Sequence, residues 1–182
     1  KFHERLEDVI CSDNDSWSKY LWSWLAHLIQ KPYEKPGVAI VLRSDWEGVG
    51  KGVFAKYFGS LLGDHFTTVT EGRHLHGNFN AHQKKCLFLL GDEAVWGGDK
   101  RAEAKLKEMI TEPTTICEFK GKDSFQIKSF IRLMLQTNSE WAAPVSLTDR
   151  RYFVLDVSEM RLNDHVFFKE VENEKKNGVA EA

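Results

Sequence analysis

Residues Ser44 to Phe54 read SDWEGVGKGVF, a run in which Gly48, Gly50 and Gly52 surround Lys51. A glycine turn that opens a helix can bind phosphate. Its successive backbone N–H groups form a concave anion site, the helix dipole adds roughly half a positive charge, and a lysine adds a full one. The phosphate-loop pattern is GxxxxGK followed by Ser or Thr. Gly50 and Lys51 fit it, while Asp45 stands where the first glycine belongs and Gly52 where the hydroxyl belongs. The candidate cradle is the backbone of Glu47, Gly48, Val49, Gly50, Lys51, Gly52 and Val53. The plainer reading of this string alone is a glycine-rich strand-to-helix turn. Loss of the residue 52 hydroxyl loosens direct Mg²⁺ coordination, although Mg²⁺ keeps several waters and one can fill such a place. Nucleotide binding then survives while hydrolysis slows.

A second constellation is CLFLLGDE, residues Cys86 to Glu93, an apolar run ending in two adjacent carboxylates. That arrangement can hold a Mg²⁺ shell through Asp92 and orient an attacking water through Glu93; the alternative is a solvated strand end. A third, IRLMLQTN, ends in Thr137 and Asn138. Between these two lies TTICEFKGKDSFQIKSF, two β-like runs around Gly121 that read as a hairpin, with Lys120 and Lys122 near its tip and Lys128 further along. The lysines either line a polyanion path or solvate an exposed hairpin. At strand spacing, Phe119 and Phe125 read as hairpin core or as stacking platforms for bases. His74 and His76 form an HxH pair with His82 nearby, but no carboxylate or Cys stands at matching spacing, so zinc is disfavoured.

Strands and helices must position these groups. Ser16 to Gln30 places Leu21, Trp24, Leu25 and Leu28 at helical spacing behind a Ser16 cap, and Pro32 and Pro36 then break the helix. VAIVLR, Val38 to Arg43, is an apolar strand leading straight into the glycine loop. Lys51 to Leu62 reads as a helix with Phe54, Phe58, Leu61 and Leu62 inward and Gly63 at its end. Phe66 to Thr70, Cys86 to Glu93, Ile131 to Asn138 and Tyr152 to Val157 are four more strands, and Arg101 to Ile110 is a helix packed through Leu106, Met109 and Ile110. Trp96 with Gly97 and Gly98 makes the turn into that helix. Alternating strands and helices predict an α/β domain with a mainly parallel sheet, whose ligands bind beyond the carboxyl ends of the strands. The loop after Arg43, the Asp92–Glu93 pair and Thr137–Asn138 all fall at such ends.

The 182 residues, 42% hydrophobic and 29% charged, suit one globular domain with a real core. No stretch approaches the roughly 18 to 20 apolar residues of a membrane span, and the N-terminus lacks the apolar centre of a signal peptide, so a soluble cytoplasmic protein is expected, in the host cytoplasm if viral. Cys11, Cys86 and Cys117 are odd in number and far apart, which fits reduced thiols. With a net charge of -2, any nucleic-acid binding must use a local basic patch. The polar start and the end at NEKKNGVAEA predict a fragment of a longer chain. Its organisation is expected to be a helical lead-in over 1–36, an ATPase core over 37–160 and a truncated helical segment over 161–182.

The ordered segments WLAHLIQKP, GVGKG, HGNFNAH, LFLLGDEAVWGGDKRAEAKLKEMITEP, QTNSEWAAP and DRRYF resemble the superfamily 3 helicase domain of phage and plasmid primase-polymerase-helicase proteins, within the AAA+ ATPases. The likeness covers nearly all of the chain. It implies an AAA+ P-loop core with a five-stranded, mainly parallel sheet, flanking helices and a β-hairpin inserted before the sensor strand. It also implies that Lys51 grips the β- and γ-phosphates of ATP, Asp92 organises Mg²⁺, Glu93 is the general base and Asn138 is the sensor. Arg150 or Arg151 matches an arginine finger reaching a neighbouring subunit's nucleotide, a device worth about 10³ to 10⁵ in rate; an ion pair with Asp149 or Glu140 is the alternative. Single-stranded DNA in the channel of a homo-hexamer, followed by Lys120, Lys122 and Lys128, and a primase-polymerase domain in the same full-length chain are the partners implied.

Two functions follow, an ATP-driven DNA translocase, or a nucleotide-binding assembly or loading module with vestigial hydrolysis. A small-molecule kinase built on Gly-Lys-Gly is disfavoured, because no arginine-rich lid follows and the Asn and Arg groups would be idle.

Overall fold

The computed structural model describes residues 8–70, 84–92, 100–117, 123–138 and 149–176. Chain order begins with helix α1 (Asp15–Gln30) and strand β1 (Ala39–Arg43), followed by α2 (Lys51–Ser60), β2 (Phe66–Val69), β3 (Phe88–Asp92) and α3 (Lys100–Thr111). A hairpin of β4 (Thr114–Cys117) and β5 (Phe125–Lys128) comes next, and β6 (Arg132–Thr137), β7 (Tyr152–Asp156) and α4 (His165–Lys176) follow as the last of the described elements.

Five strands form one sheet in the order β2-β3-β6-β1-β7, and every pairing in it is parallel. All five expected strands are present, within one or two residues of their expected bounds. Parallel strands are covered on both faces, and the alternation of side chains divides the core accordingly. Ile40 and Leu42 face one layer with α1, α2 and α4, together with Phe88, Leu90, Met134 and Leu155. Ala39 and Val41 face the other, with Leu89, Leu133 and Leu135 against Leu106, Met109 and Ile110 of α3. Full burial of such side chains contributes roughly 1.5–3 kcal/mol each.

Helix α1 buries Leu21, Trp24, Leu25 and Leu28 as its spacing predicts, and the Trp24 indole donates to the Val38 carbonyl at 2.9 Å. Its cap is Asn14 rather than Ser16. The Asn14 side chain accepts from the amides of Ser16 (3.0 Å) and Trp17 (3.1 Å), which starts the helix a residue earlier. Helix α2 ends at Ser60, so Leu61 points to solvent instead of inward. At the far end of α1, the Arg132 guanidinium, 1% exposed, donates to the carbonyls of Lys31 (2.6 Å), Glu34, Pro32 (3.3 Å) and Phe130 (3.4 Å). It satisfies the helix C-terminus and ties it to the start of β6.

The hairpin strands pair antiparallel from Thr114↔Lys128 to Cys117↔Phe125. The three cysteines are free thiols and all are buried. No described helix is long and apolar enough to cross a membrane.

Candidate nucleotide site

The loop between β1 and α2 leaves the sheet from an interior strand, flanked by β6 and β7. Its left-handed turns fall at Gly48 (φ 75°) and Gly50 (φ 101°), while Asp45 keeps a negative φ, so the departure from the phosphate-loop pattern at Asp45 costs the loop no backbone freedom. The Ser44 hydroxyl accepts from the Trp46 amide at 3.0 Å and stiffens the loop's entry. Gly48 and Gly50 are also needed for space. A Cβ at 48 would lie 2.6 Å from Asn163 Oδ1, and one at 50 would lie 2.7 Å from Phe168 Cε1. The chain after β7 is therefore packed directly onto the loop. Gly50 caps α2 without a side-chain bond, which leaves the first amides of the helix to the anion side of the loop.

Lys51 is 7% exposed. Its ammonium donates to the Trp46 carbonyl at 3.0 Å and to Asn138 Oδ1 at 2.5 Å. Asn138 directly follows β6, the strand beside β1, so loop lysine and strand-tip amide meet because their strands are neighbours. Around them opens a cavity of about 450 Å³ lined by residues 47–53, Lys56, Tyr57, Gln136, Thr137 and Asn138, with Val171 and Glu172 of α4 on the opposite wall. Burial, with the charge of Glu174 second, pushes the Tyr57 phenol up.

Asp92 ends β3, on the other side of β6. Its Oδ2 accepts from Lys56 Nζ at 2.7 Å and its Oδ1 from Gln136 Nε2. Gln136 Oε1 is buried without a hydrogen-bond partner. A Cβ at Gly52 would stand 3.5 Å from the Gln136 amide and 3.8 Å from Lys56 Nζ. Among the described residues this donor set fits a divalent ion poorly: the Lys56 ammonium sits on Asp92 Oδ2, the Gln136 amide on Oδ1, and residue 52 offers no oxygen. Among the described residues no cluster of three His, Cys, Asp or Glu could hold a metal. Glu93, Trp96 and the His74, His76 and His82 group lie outside the described residues.

The structure thus brings together Glu47 to Val53, Lys51, Asn138 and, through Lys56 and Gln136, Asp92. Sequence reasoning missed Lys56, Gln136 and the α4 wall. The available signals were the i,i+4 spacing of Gly52 and Lys56 and a lone amide in the otherwise apolar RLMLQ run.

The arginine pair sits at the amino end of β7, and because β7 runs parallel to β1 it lies at the end of the strands opposite this chain's own loop. Arg151 Nη1 is 3.1 Å from Asp149 Oδ1, and Lys107 is 3.5 Å from Oδ2. Burial pushes the Asp149 carboxyl up, but the hydrogen bonds and charge of Arg151 outweigh it and hold the group below its usual range. Arg150 is exposed and makes no hydrogen bond or ion pair among the described residues. Phe119, Lys120 and Lys122 lie outside the described residues, and Lys128 stands at the base of the hairpin opposite Thr114. Phe125 is 43% exposed rather than hairpin core, with Lys84 Nζ 5.8 Å from its ring centre.

A parallel sheet in this order, with a glycine loop between an interior strand and a helix, defines an α/β fold of the P-loop NTPase type. The chain belongs to a family of unknown function (DUF5906), whose family model matches residues 42–151. The fold is shared with the apo structure of NrS-1 C terminal region (305-718), at TM-score 0.83 and 19% identity over 96% of this chain and 43% of that one. It is shared too with the A form apo structure of NrS-1 C terminal region-CTR(305-718), at TM-score 0.78 and 20% identity over 96% and 42%. The chain therefore spans less than half the length of these structures. No curated protein matches it.

Proposed function

We propose that this chain is the ATP-binding core of a superfamily 3-type helicase acting on single-stranded DNA in phage or plasmid replication. The observation that carries the reading is the meeting of Lys51 with Asn138 at 2.5 Å, under a glycine loop and beside the tip of the strand that bears Asp92. Three strand ends, β3, β6 and β1, present their functional residues to one place.

In this reading the amides of Glu47 to Val53 and the Lys51 ammonium hold the β- and γ-phosphates. Asn138 hands its lysine contact to the γ-phosphate and senses it, and Glu93 orients the attacking water. Arg150 is the better arginine finger, because Arg151 is committed to Asp149 whereas Arg150 is exposed. The remote position of the pair suits action on a neighbouring subunit's nucleotide in a homo-hexamer. The hairpin of β4 and β5, with Lys120, Lys122 and Lys128, follows the DNA phosphates. Among the described residues the Mg²⁺ that accompanies ATP has no ready ligand, since Asp92 is engaged by Lys56 and Gly52 bears no hydroxyl.

That last point favours a second reading, a nucleotide-binding assembly or loading module with weak hydrolysis, fused to a primase-polymerase. ATP binding and single-strand-stimulated turnover, measured on the wild type, Lys51→Ala and Arg150→Ala, separate the two. The helicase reading expects Lys51→Ala to lose binding, and Arg150→Ala to keep binding while turnover falls 10³-fold or more, within the range about 10³ to 10⁵ for a finger. Unchanged binding by Lys51→Ala refutes both readings. Tight binding by the wild type without stimulated turnover leaves the assembly module.

A further inference from the structure

We propose that Lys56, and not a divalent ion, is the second cation of the phosphate site, so that the chain binds a nucleoside triphosphate without Mg²⁺. The inference rests on the nucleotide reading of the cavity and concerns how that cavity neutralises charge.

A triphosphate brings three to four negative charges, and Lys51 with the loop amides offsets only part of them. In a standard phosphate loop the remainder is met by Mg²⁺, held by the loop hydroxyl and by a strand carboxylate directly or through water. Here both supports are replaced. Residue 52 is a glycine, and the ammonium one turn further along α2 stands 3.8 Å from the position of its missing Cβ. A hydroxyl on that Cβ would reach the space the ammonium occupies. The strand carboxylate holds that ammonium instead, with Asp92 Oδ2 at 2.7 Å from Lys56 Nζ. Gln136 occupies the other Asp92 oxygen and keeps the carboxylate turned toward Lys56.

The chain thus places a positive charge beside the strand carboxylate, on a side chain that also lines the cavity. A lysine head on four methylenes can leave Asp92 for a phosphate oxygen without unfolding α2. The buried, unpartnered Gln136 Oε1 lies beside the same spot, 3.5 Å from the position of the missing Cβ, where an amide oxygen can accept from the Lys56 ammonium.

The test is equilibrium binding of a fluorescent, non-hydrolysable ATP analogue to the whole chain, in excess Mg²⁺ and in excess EDTA. The variants are Lys56→Met, Gly52→Ser with Lys56→Met, and Lys51→Ala. Wild-type affinity is expected to differ by less than about fivefold between the two solutions, and Lys56→Met to lose about tenfold or more in EDTA. The double variant should regain affinity in Mg²⁺ alone. A wild type that weakens about fivefold or more in EDTA, or a Lys56→Met chain that binds like wild type there, overturns the proposal. If Lys51→Ala binds like wild type in both solutions, the nucleotide reading itself falls and this inference falls with it. Lys56 is half-exposed, so its replacement leaves the core intact, and circular dichroism of each variant checks that it does.

Discussion

Replacing Gly50 by Ala probes the contact between the phosphate loop and α4, and the structure sets its size. Gly50 holds φ 101° and ψ 0°. An L-residue in left-handed backbone costs roughly 1–2 kcal/mol. The new Cβ would also lie 2.7 Å from Cε1 and 2.9 Å from Cζ of Phe168, closer than carbon atoms tolerate. That ring cannot simply turn away, because it packs edge-on against buried Phe167 with centroids 5.1 Å apart. Overpacking of this kind costs about 1–3 kcal/mol. Gly50→Ala should therefore lose about 2–5 kcal/mol in all.

A double-mutant cycle with Phe168→Ala separates the two contributions. Once the ring is gone, Ala at position 50 retains only the backbone penalty. The cycle should then show about 1–3 kcal/mol of favourable coupling in urea unfolding. Nucleotide affinity should fall in Gly50→Ala, because α4 carries Val171 and Glu172 away from the cavity as it is displaced, and should recover in part in the double variant. A coupling within about 0.5 kcal/mol of zero would show that Phe168 does not bear on residue 50, and the account of α4 as a wall of the site would fail.

Two further predictions concern the frame. Arg132→Met should lose about 2–4 kcal/mol in denaturant unfolding, since it removes the guanidinium donor from the carbonyls of Pro32, Glu34 and Phe130 and leaves that of Lys31 with only the Glu34 amide; a loss under about 1 kcal/mol would contradict that role. Lys35 donates to the carbonyls of Met109 (2.7 Å) and Glu112 (2.6 Å), and burial lowers its pKa to about 8. Between that value and the unfolded lysine's pKa near 10.4, the unfolded chain holds a proton that the folded chain has released, so stability from this group rises with pH above about 8. Discounted for solvent screening, the rise is about 0.5 kcal/mol between pH 8 and about pH 9. Urea unfolding should show it in the wild type and not in Lys35→Met; equal slopes in the two would refute the burial argument.

Elements were legible where one physical rule decides them. VAIVLR, CLFLLGDE and IRLMLQTN are too apolar to be anything but strands buried on both faces, and a glycine loop between the first of them and a helix can only sit at a carboxyl end. The glycine loop and Asn138 both fall at carboxyl ends by this rule, and with β6 paired beside β1 Lys51 and Asn138 meet at 2.5 Å. Cap chemistry was less legible. Asn14 and Ser16 are both good caps, and the choice falls to Asn14 because its carboxamide serves two amides at once. Phe125 has the strand spacing of a core residue, but a two-stranded ribbon has an open face, and there the ring is exposed beside Lys84.

What stayed hidden depends on adjacency between distant segments. Nothing local says that β6 inserts between β1 and β3, yet only that order sets Gln136 beside Asp92 and lets Lys56 reach the same carboxylate from α2. The role of Gly52 changes in consequence. Read against a motif, it is a lost hydroxyl. Read with its neighbours, it faces the Lys56 ammonium: a Cβ there would make ordinary contacts with Gln136 at 3.5 Å and Lys56 Nζ at 3.8 Å, and a hydroxyl on it could extend toward the lysine. Restoring the hydroxyl alone would then add a ligand to a place where a cation is already fixed, so a return to metal dependence requires a change at both positions.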